Sequence, residues 1–214
     1  MKTRNMFKAF VFVVLLVGLL IPFAPVDAAG KATLPTFSDF ITTVTNGQAD
    51  TVQGVYVPGV FAYRVVAQPA SDPAYISTLD GAVTQFSMAA RYHVIGLVAH
   101  NNLAGASFSN LALGQEVFIV YGDGHVATYQ VNQIARFRAL QPSKVDSSFV
   151  DLSTNVTYFP GSIFKMFYQG DNHVTFQTCI AQDGNASWGR LFVTAVPVVS
   201  AYDSETRSVA LRVP

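Results

Sequence analysis

VTFQTCIAQDGNASWGRLFVTAV, residues 174–196, is the stretch that decides the fold. Val174 to Ile180 and Leu191 to Val196 are runs of β-branched and aromatic residues, the side chains that suit a pleated, half-buried surface. Between them, Gln182-Asp183-Gly184-Asn185 is a polar turn of the kind that joins antiparallel strands. A β-hairpin is therefore expected. Cys179 lies near the end of its first strand and Arg190 at the start of its second, so strand pairing brings both to one end of the sheet.

Working outward, the same pattern of short strand and turn recurs from Val52 onward. Val55 to Val57, Phe61 to Val66 and Thr84 to Ala89 are β-type runs set apart by Pro-Gly, Ser-Asp-Pro and Asp-Gly signals. Tyr92 to Ala99 is apolar and ends at His100, followed by the loop Asn101-Asn102-Leu103-Ala104-Gly105. Val117 to Tyr121 and Val126 to Val131 flank Gly122-Asp123-Gly124 as a second hairpin, and Asn132 to Leu140 continues its far arm as another strand. Pro142 to His173 is less regular, with a short helix expected around residues 144–152. A connection of that length in a compact domain is usually functional or mobile. Residues 29–50 are polar and Thr-rich and read as an extended lead-in; the tail from Pro197 to Pro214 reads as one more hairpin or an edge strand. No repeat or second domain is evident. The fold class expected is mainly all-β, a closed or nearly closed barrel of about eight strands with short helices in its connecting loops.

The amino terminus carries a different message. Lys2, Arg4 and Lys8 precede an apolar run from Ala9 to Ala24, and small residues follow at Val26, Ala28 and Ala29. This is the three-part pattern of a secretory signal. The 13 residues before Pro22 fall short of the roughly 20 needed to cross a bilayer as a helix. Residues 1–28 are thus read as a signal peptide cleaved after Ala28, with an uncleaved membrane anchor as the rival, and 51–214 as the folded domain. Either way the domain faces the outside of a membrane, secreted or held at the cell surface.

Charge and composition limit the function. The 214 residues hold 13 basic and 13 acidic side chains, so no basic stripe points to nucleic acid. Removing residues 1–28 takes three basic residues and one acidic one, leaving 10 against 12, a net of −2. With 17 Phe, 9 Tyr and an apolar half, the chain is not intrinsically disordered. A single cysteine excludes an intramolecular disulfide and a cysteine-rich zinc site. In an exported protein that free thiol is exposed to oxidation, so Cys179 is either a small buried apolar residue or a nucleophile.

His100 stands where a strand gives way to a loop, a place where a side chain reaches solvent on rigid support. The other histidines lack such a setting. His125 is at a hairpin tip, His93 lies in the strand leading to His100, and His173 opens the cysteine strand; all three read as structural or solvent-facing. Asp171-Asn172-His173, with Asp146 and Asp151 as the other acidic members of the long connection, makes only a weak metal site. No metal and no cofactor are expected.

Thr175-Phe176-Gln177-Thr178-Cys179 resembles the Thr-Leu-x-Thr-Cys motif of the sortase family of cysteine transpeptidases, with Phe in place of Leu. Val98-Ala99-His100-Asn101 is similar to that family's Gly-His-Asn context, with Ala99 for Gly. Phe108-Ser109-Asn110-Leu111, Leu113-Gly114-Gln115-Glu116-Val117 and Gly189-Arg190-Leu191 follow the family's pattern in order, so the resemblance covers roughly Tyr92 to Val196. It implies a sortase-like barrel and an exported, membrane-associated enzyme. Such an enzyme cleaves a sorting-signal peptide in surface proteins, often of the Leu-Pro-x-Thr-Gly type. It holds the acyl half as a thioester and passes it to an amine of the cell wall or of a pilin lysine.

Under that resemblance Cys179 is the nucleophile, and His100 protonates the leaving amine and deprotonates the incoming one. Arg190, which keeps its charge, donates to a substrate carbonyl or developing oxyanion. A thiol of pKa about 8.5 is only a few per cent thiolate at neutral pH, so a nearby cation or base matters. Thr178 is expected to shape the substrate site, and Asn101 either orients His100 or serves the turn. Phe149, Tyr158, Phe159 and Phe164 supply apolar surface to a substrate or to a local core. Two other readings stay open: a protease in which water resolves the thioester, and an exported β-domain that binds a surface polymer or protein without catalysis.

Overall fold

The computed structural model describes residues 33–144 and 146–198. The export segment and the expected final strands from residue 199 on lie outside them. Among the described residues no helix is long and apolar enough to cross a membrane, which says nothing about spanning by strands.

Ten strands and three α-helices follow in order. The first are α1 (Phe37–Val44), β1 (Val52–Val57), β2 (Phe61–Ala67), β3 (Ala82–Gln85), α2 (Ser87–Ala90) and β4 (Ile95–Val98). A 3-10 helix, Ala104–Asn110, leads to β5 (Glu116–Tyr121) and β6 (Val126–Ala139). Then come β7 (Phe149–Asp151), β8 (Thr157–Tyr158), α3 (Pro160–Tyr168), β9 (Val174–Gln182) and β10 (Asn185–Pro197).

Eight of these strands close on themselves in the order β1-β2-β3-β4-β9-β10-β6-β5, with β5 returning to β1. Pairing is antiparallel except for β2 with β3 and β4 with β9. The 14-residue β6 makes closure possible: β10 runs along most of one edge, while the other edge pairs first with β5 and then with β7. β7 and β8 extend from that edge outside the ring. The expectation of a closed barrel of about eight strands matches what is observed.

Strand alternation sorts side chains into two cores. Val55, Leu97, Phe108, Ile119, Phe176 and Val193 meet in the barrel interior, all fully buried. A second core lies on the outer wall, where Phe137 of β6 and Phe192 of β10 are covered by Phe149, Ile163, Phe167 and Tyr168. The rings of Phe167 and Phe192 stack at 4.1 Å. Each aromatic ring so buried contributes about 1.5–3 kcal/mol of transfer free energy, and this second layer clamps α3 to the wall.

Four local expectations change. The lead-in is not wholly extended. Thr36 caps α1, its Oγ1 accepting from the Asp39 N–H at 3.2 Å, while Phe40 is buried and Phe37 packs on Tyr56 and Phe118. The apolar spacing Phe37, Phe40, Ile41, Val44 is a helical stripe hidden among threonines. The helix expected at 144–152 is instead a turn followed by β7; α3 begins later, at Pro160, whose fixed φ and missing N–H suit a first helical turn. The strand expected over Thr84–Ala89 stops at Gln85 and turns into α2. His93 is not in a strand but in the turn that precedes β4, with φ of 60°.

Candidate active site

The turn at the end of β9 fixes the register of the site. Asp183 and Gly184 both have positive φ, 51° and 76°, the geometry that matches the twist of paired strands. A bulge between Asn185 and Gly189 follows, after which Arg190 stands directly opposite Cys179. Directly opposed residues point to the same face with Cβ atoms about 4.5–5.5 Å apart.

Which face is set by the neighbours. Val174 and Phe176 on β9, and Leu191, Val193 and Ala195 on β10, fill the barrel interior. Gln177, Cys179, Arg190 and Phe192 therefore face outward, onto the wall that carries the second core.

His100 reaches this face from the other side. β4 runs parallel to β9 with Val98 beside Gln177, and the Ala99 N–H donates to the Gln177 carbonyl at 3.2 Å. His100 lies two residues past the end of β4, and Ala99 before it is tied to β9 through Gln177 and Thr178. His100, Cys179 of β9 and Arg190 of β10 thus make a row along one end of three neighbouring segments, each half-buried.

Two features hold the row. The Thr178 hydroxyl donates to the Ala99 carbonyl at 2.9 Å, tying β9 to the chain just before His100. The chain then folds under itself, the Leu103 and Gly105 N–H groups both donating to the His100 carbonyl at 3.0 Å. A Cβ at Gly105 would lie 2.7 Å from the Ala99 and His100 carbonyls and would strike the Thr178 hydroxyl, so only glycine fits. Thr178 is 5% exposed and, by strand alternation, its side chain is turned from the cysteine face. The Asn101 amide donates to the Ala186 carbonyl at 2.9 Å, joining the loop after β4 to the β9–β10 turn.

Arg190 is oriented without neutralisation. One guanidinium nitrogen donates to the Ser187 and Gly189 carbonyls, at 3.0 and 2.8 Å, and the group lies 5.8 Å from the centre of the Phe149 ring. Among the described residues no carboxylate forms an ion pair with it. Its remaining N–H donors are available to an anionic or carbonyl oxygen.

Beside Arg190 a groove of about 290 Å³ runs along the outer wall, bounded by Phe86, Phe149, Pro160, Phe164, Tyr168 and Phe192, with Gln177 also in its lining. Phe149 and Phe164 therefore serve both core and groove, whereas Tyr158 packs on Phe137 and Phe159 is 74% exposed. Sequence reading did not single out Gln177 or Tyr168. Alternation along β9 puts Gln177 on the cysteine face, a signal already present in the sequence.

The remaining histidines are elsewhere. His125 stacks on Tyr121 at 4.0 Å and pairs with Asp123 at 2.7 Å. The His173 ring meets the Asp171 and Phe167 carbonyls. Among the described residues no three His, Cys, Asp or Glu side chains gather as a metal site would require.

No family model and no curated protein matches the chain. Among solved structures it is similar to sortase C1 of GBS pilus island 1, at 20% identity over 69% of this chain, with a TM-score of 0.45. It is also similar to sortase C1 from Streptococcus suis, at 14% identity, covering 77% of this chain and 79% of that one, TM-score 0.46. Sortase C-1 from Actinomyces oris gives 18% identity, 71% and 76% coverage and a TM-score of 0.46. The chain covers 64% of the length of the first of these.

Proposed function

We propose that this chain is a sortase-type cysteine transpeptidase, exported and acting at the cell surface on a sorting-signal peptide. What supports the reading is the cross-strand pairing of Cys179 with Arg190 beside an aromatic groove, with His100 just past the neighbouring strand β4. The order of motifs around His100, Cys179 and Arg190 supports it independently.

In this reading the Cys179 thiolate attacks the scissile carbonyl, and the new C–S bond pushes the carbonyl electrons onto oxygen. The free donors of Arg190 meet that oxyanion, an interaction that strengthens as charge develops. His100 protonates the leaving nitrogen as the C–N bond breaks, leaving a Cys179 thioester. An incoming amine, from a cell-wall peptide or a pilin lysine, loses its proton to His100 as it attacks; the C–N bond forms and the thiol leaves. Water entering in place of the amine would give hydrolysis.

Mass spectrometry of the protein mixed with Leu-Pro-x-Thr-Gly-type peptides and a small amine tests this. An acyl adduct on Cys179 followed by an aminolysed product is expected. A hydrolysed product alone would make the chain a protease. No adduct, with a thiol inert to alkylation until unfolding, would leave a binding domain.

A further inference from the structure

Two residues before Cys179, on the same outward face, Gln177 is the one amide side chain in a largely apolar groove. Its Oε1 accepts from the Tyr168 hydroxyl. Tyr168 is 3% exposed and its ring is boxed by Phe86, Phe164 and Phe192, at 5.1, 5.6 and 6.3 Å. It also abuts Gly96, where a Cβ would come within 3.1 Å of the ring. Burial raises the Tyr168 pKa, so the hydroxyl keeps its proton, and a buried O–H must place that proton on an acceptor. That bond favours the amide orientation in which Oε1 is held by Tyr168, which leaves Nε2 as the donor that Gln177 can offer to the groove it lines.

We propose that Gln177 is a specificity-determining residue that donates from Nε2 to a carbonyl oxygen of an extended peptide, two residues from the scissile bond on the acyl side. The proposal deepens the transpeptidase reading and rests on it for the place of bond cleavage. Spacing supplies the position. Gln177 and Cys179 are two strand residues apart, roughly 6.6 Å, which is also the repeat of an extended ligand. The acyl half must stay bound from thioester formation to aminolysis, so the walled groove belongs to it. Against aromatic walls the unpaired amide disfavours any ligand that offers no acceptor at that point.

The test uses one pool of acetylated Leu-Pro-x-Thr-Gly peptides and two readouts: binding to a Cys179→Ala protein, and acylation of Cys179 in the unaltered chain. Gln177→Leu is expected to weaken binding and lower kcat/KM about fivefold to tenfold, the effect of one hydrogen bond. Tyr168→Phe, which frees the amide to rotate, should give a smaller loss in the same direction. A thioamide at the peptide residue facing Gln177 should weaken binding to the Cys179→Ala protein and have no effect once Gln177→Leu is added. Alkylation of Cys179 by iodoacetamide should be unchanged in both variants, whereas the melting temperature of Gln177→Leu should fall, because the buried Tyr168 hydroxyl loses its acceptor. Acylation and binding indifferent to Gln177→Leu would overturn the proposal and leave the transpeptidase reading intact. Binding that depends on Gln177 with no acyl adduct would keep the proposal as peptide recognition and overturn the reading. Absence of both binding and adduct would overturn both.

Discussion

Arg190 and Cys179 are cross-strand partners, one on β10 and one on β9, both facing the outer wall of the barrel. The guanidinium is held by the Ser187 and Gly189 carbonyls and lies near the Phe149 ring. Arg190→Lys keeps the charge but loses the fork of donors. Acylation by a sorting peptide should fall about 10²–10³-fold, the usual effect of removing an oxyanion donor. A lysine variant as fast as the parent would show that charge alone suffices.

The brace at Thr178 predicts a linked loss of stability and activity. Thr178→Val keeps the shape and deletes the hydroxyl, leaving the Ala99 carbonyl without that donor. Urea unfolding should register about 1–2 kcal/mol of destabilisation. Acylation should slow as well, since the residue after Ala99 is His100. Full activity at reduced stability would separate the brace from the site.

Gly105→Ala makes a sharper demand on the same spot. The added methyl meets two carbonyls at 2.7 Å, so the turn under His100 must shift. Reaction of Cys179 with peptide should drop more than its reaction with iodoacetamide, because the imidazole is displaced and the thiol is not. Equal losses in the two assays would argue against a selective displacement of His100.

The second core should hold the groove wall in place. Phe167 is fully buried and stacked on Phe192, so Phe167→Ala is expected to lose about 3–5 kcal/mol in chemical denaturation. Protease cleavage within residues 152–170 should then precede global unfolding. A variant that unfolds in one step, with no early cleavage, would place the wall within the barrel's cooperative unit.

Acid should expose the turn at Asp151. The Ser153 hydroxyl and N–H groups of Ser153 and Thr154 donate to its carboxylate and lower its pKa below the ordinary value. A lowered folded pKa means stabilisation present above about pH 3.9, the ordinary carboxyl value, and lost as pH falls through the folded one. The melting temperature of Asp151→Asn should therefore trail the parent at pH 7, with the gap closing as the pH falls through the lowered folded value; the group is largely open to solvent, so the gap is small. A gap independent of pH would point to shape, not charge.

Strand positions were legible where local chemistry decides them. Asp183-Gly184 and Gly122-Asp123-Gly124 announce turns, and their flanking strands are found. What bears on the site through distant packing was not. The short stripe Phe37, Phe40, Ile41, Val44 is set among threonines, and the rings of Tyr56 and Phe118 that receive it lie outside residues 29–50. The second core was hidden in the same way, since Phe192 and Phe167 are 25 residues apart and meet only once the barrel closes. For the site, the turn residues between Cys179 and Arg190 placed both on one hairpin. The parallel pairing of β4 with β9, which brings His100 beside them, joins segments with no turn between them to read.

The hairpin's register has an evolutionary corollary. Adding or deleting one residue between Cys179 and Arg190 would rotate either the sulfur or the guanidinium into the barrel's lipid-like interior, abolishing their encounter without unfolding the ring. Length drift in that connection is therefore confined to even steps, or to the far side of the bulge. The long segment between β6 and β9 carries no such parity and is free to diversify what the groove accepts.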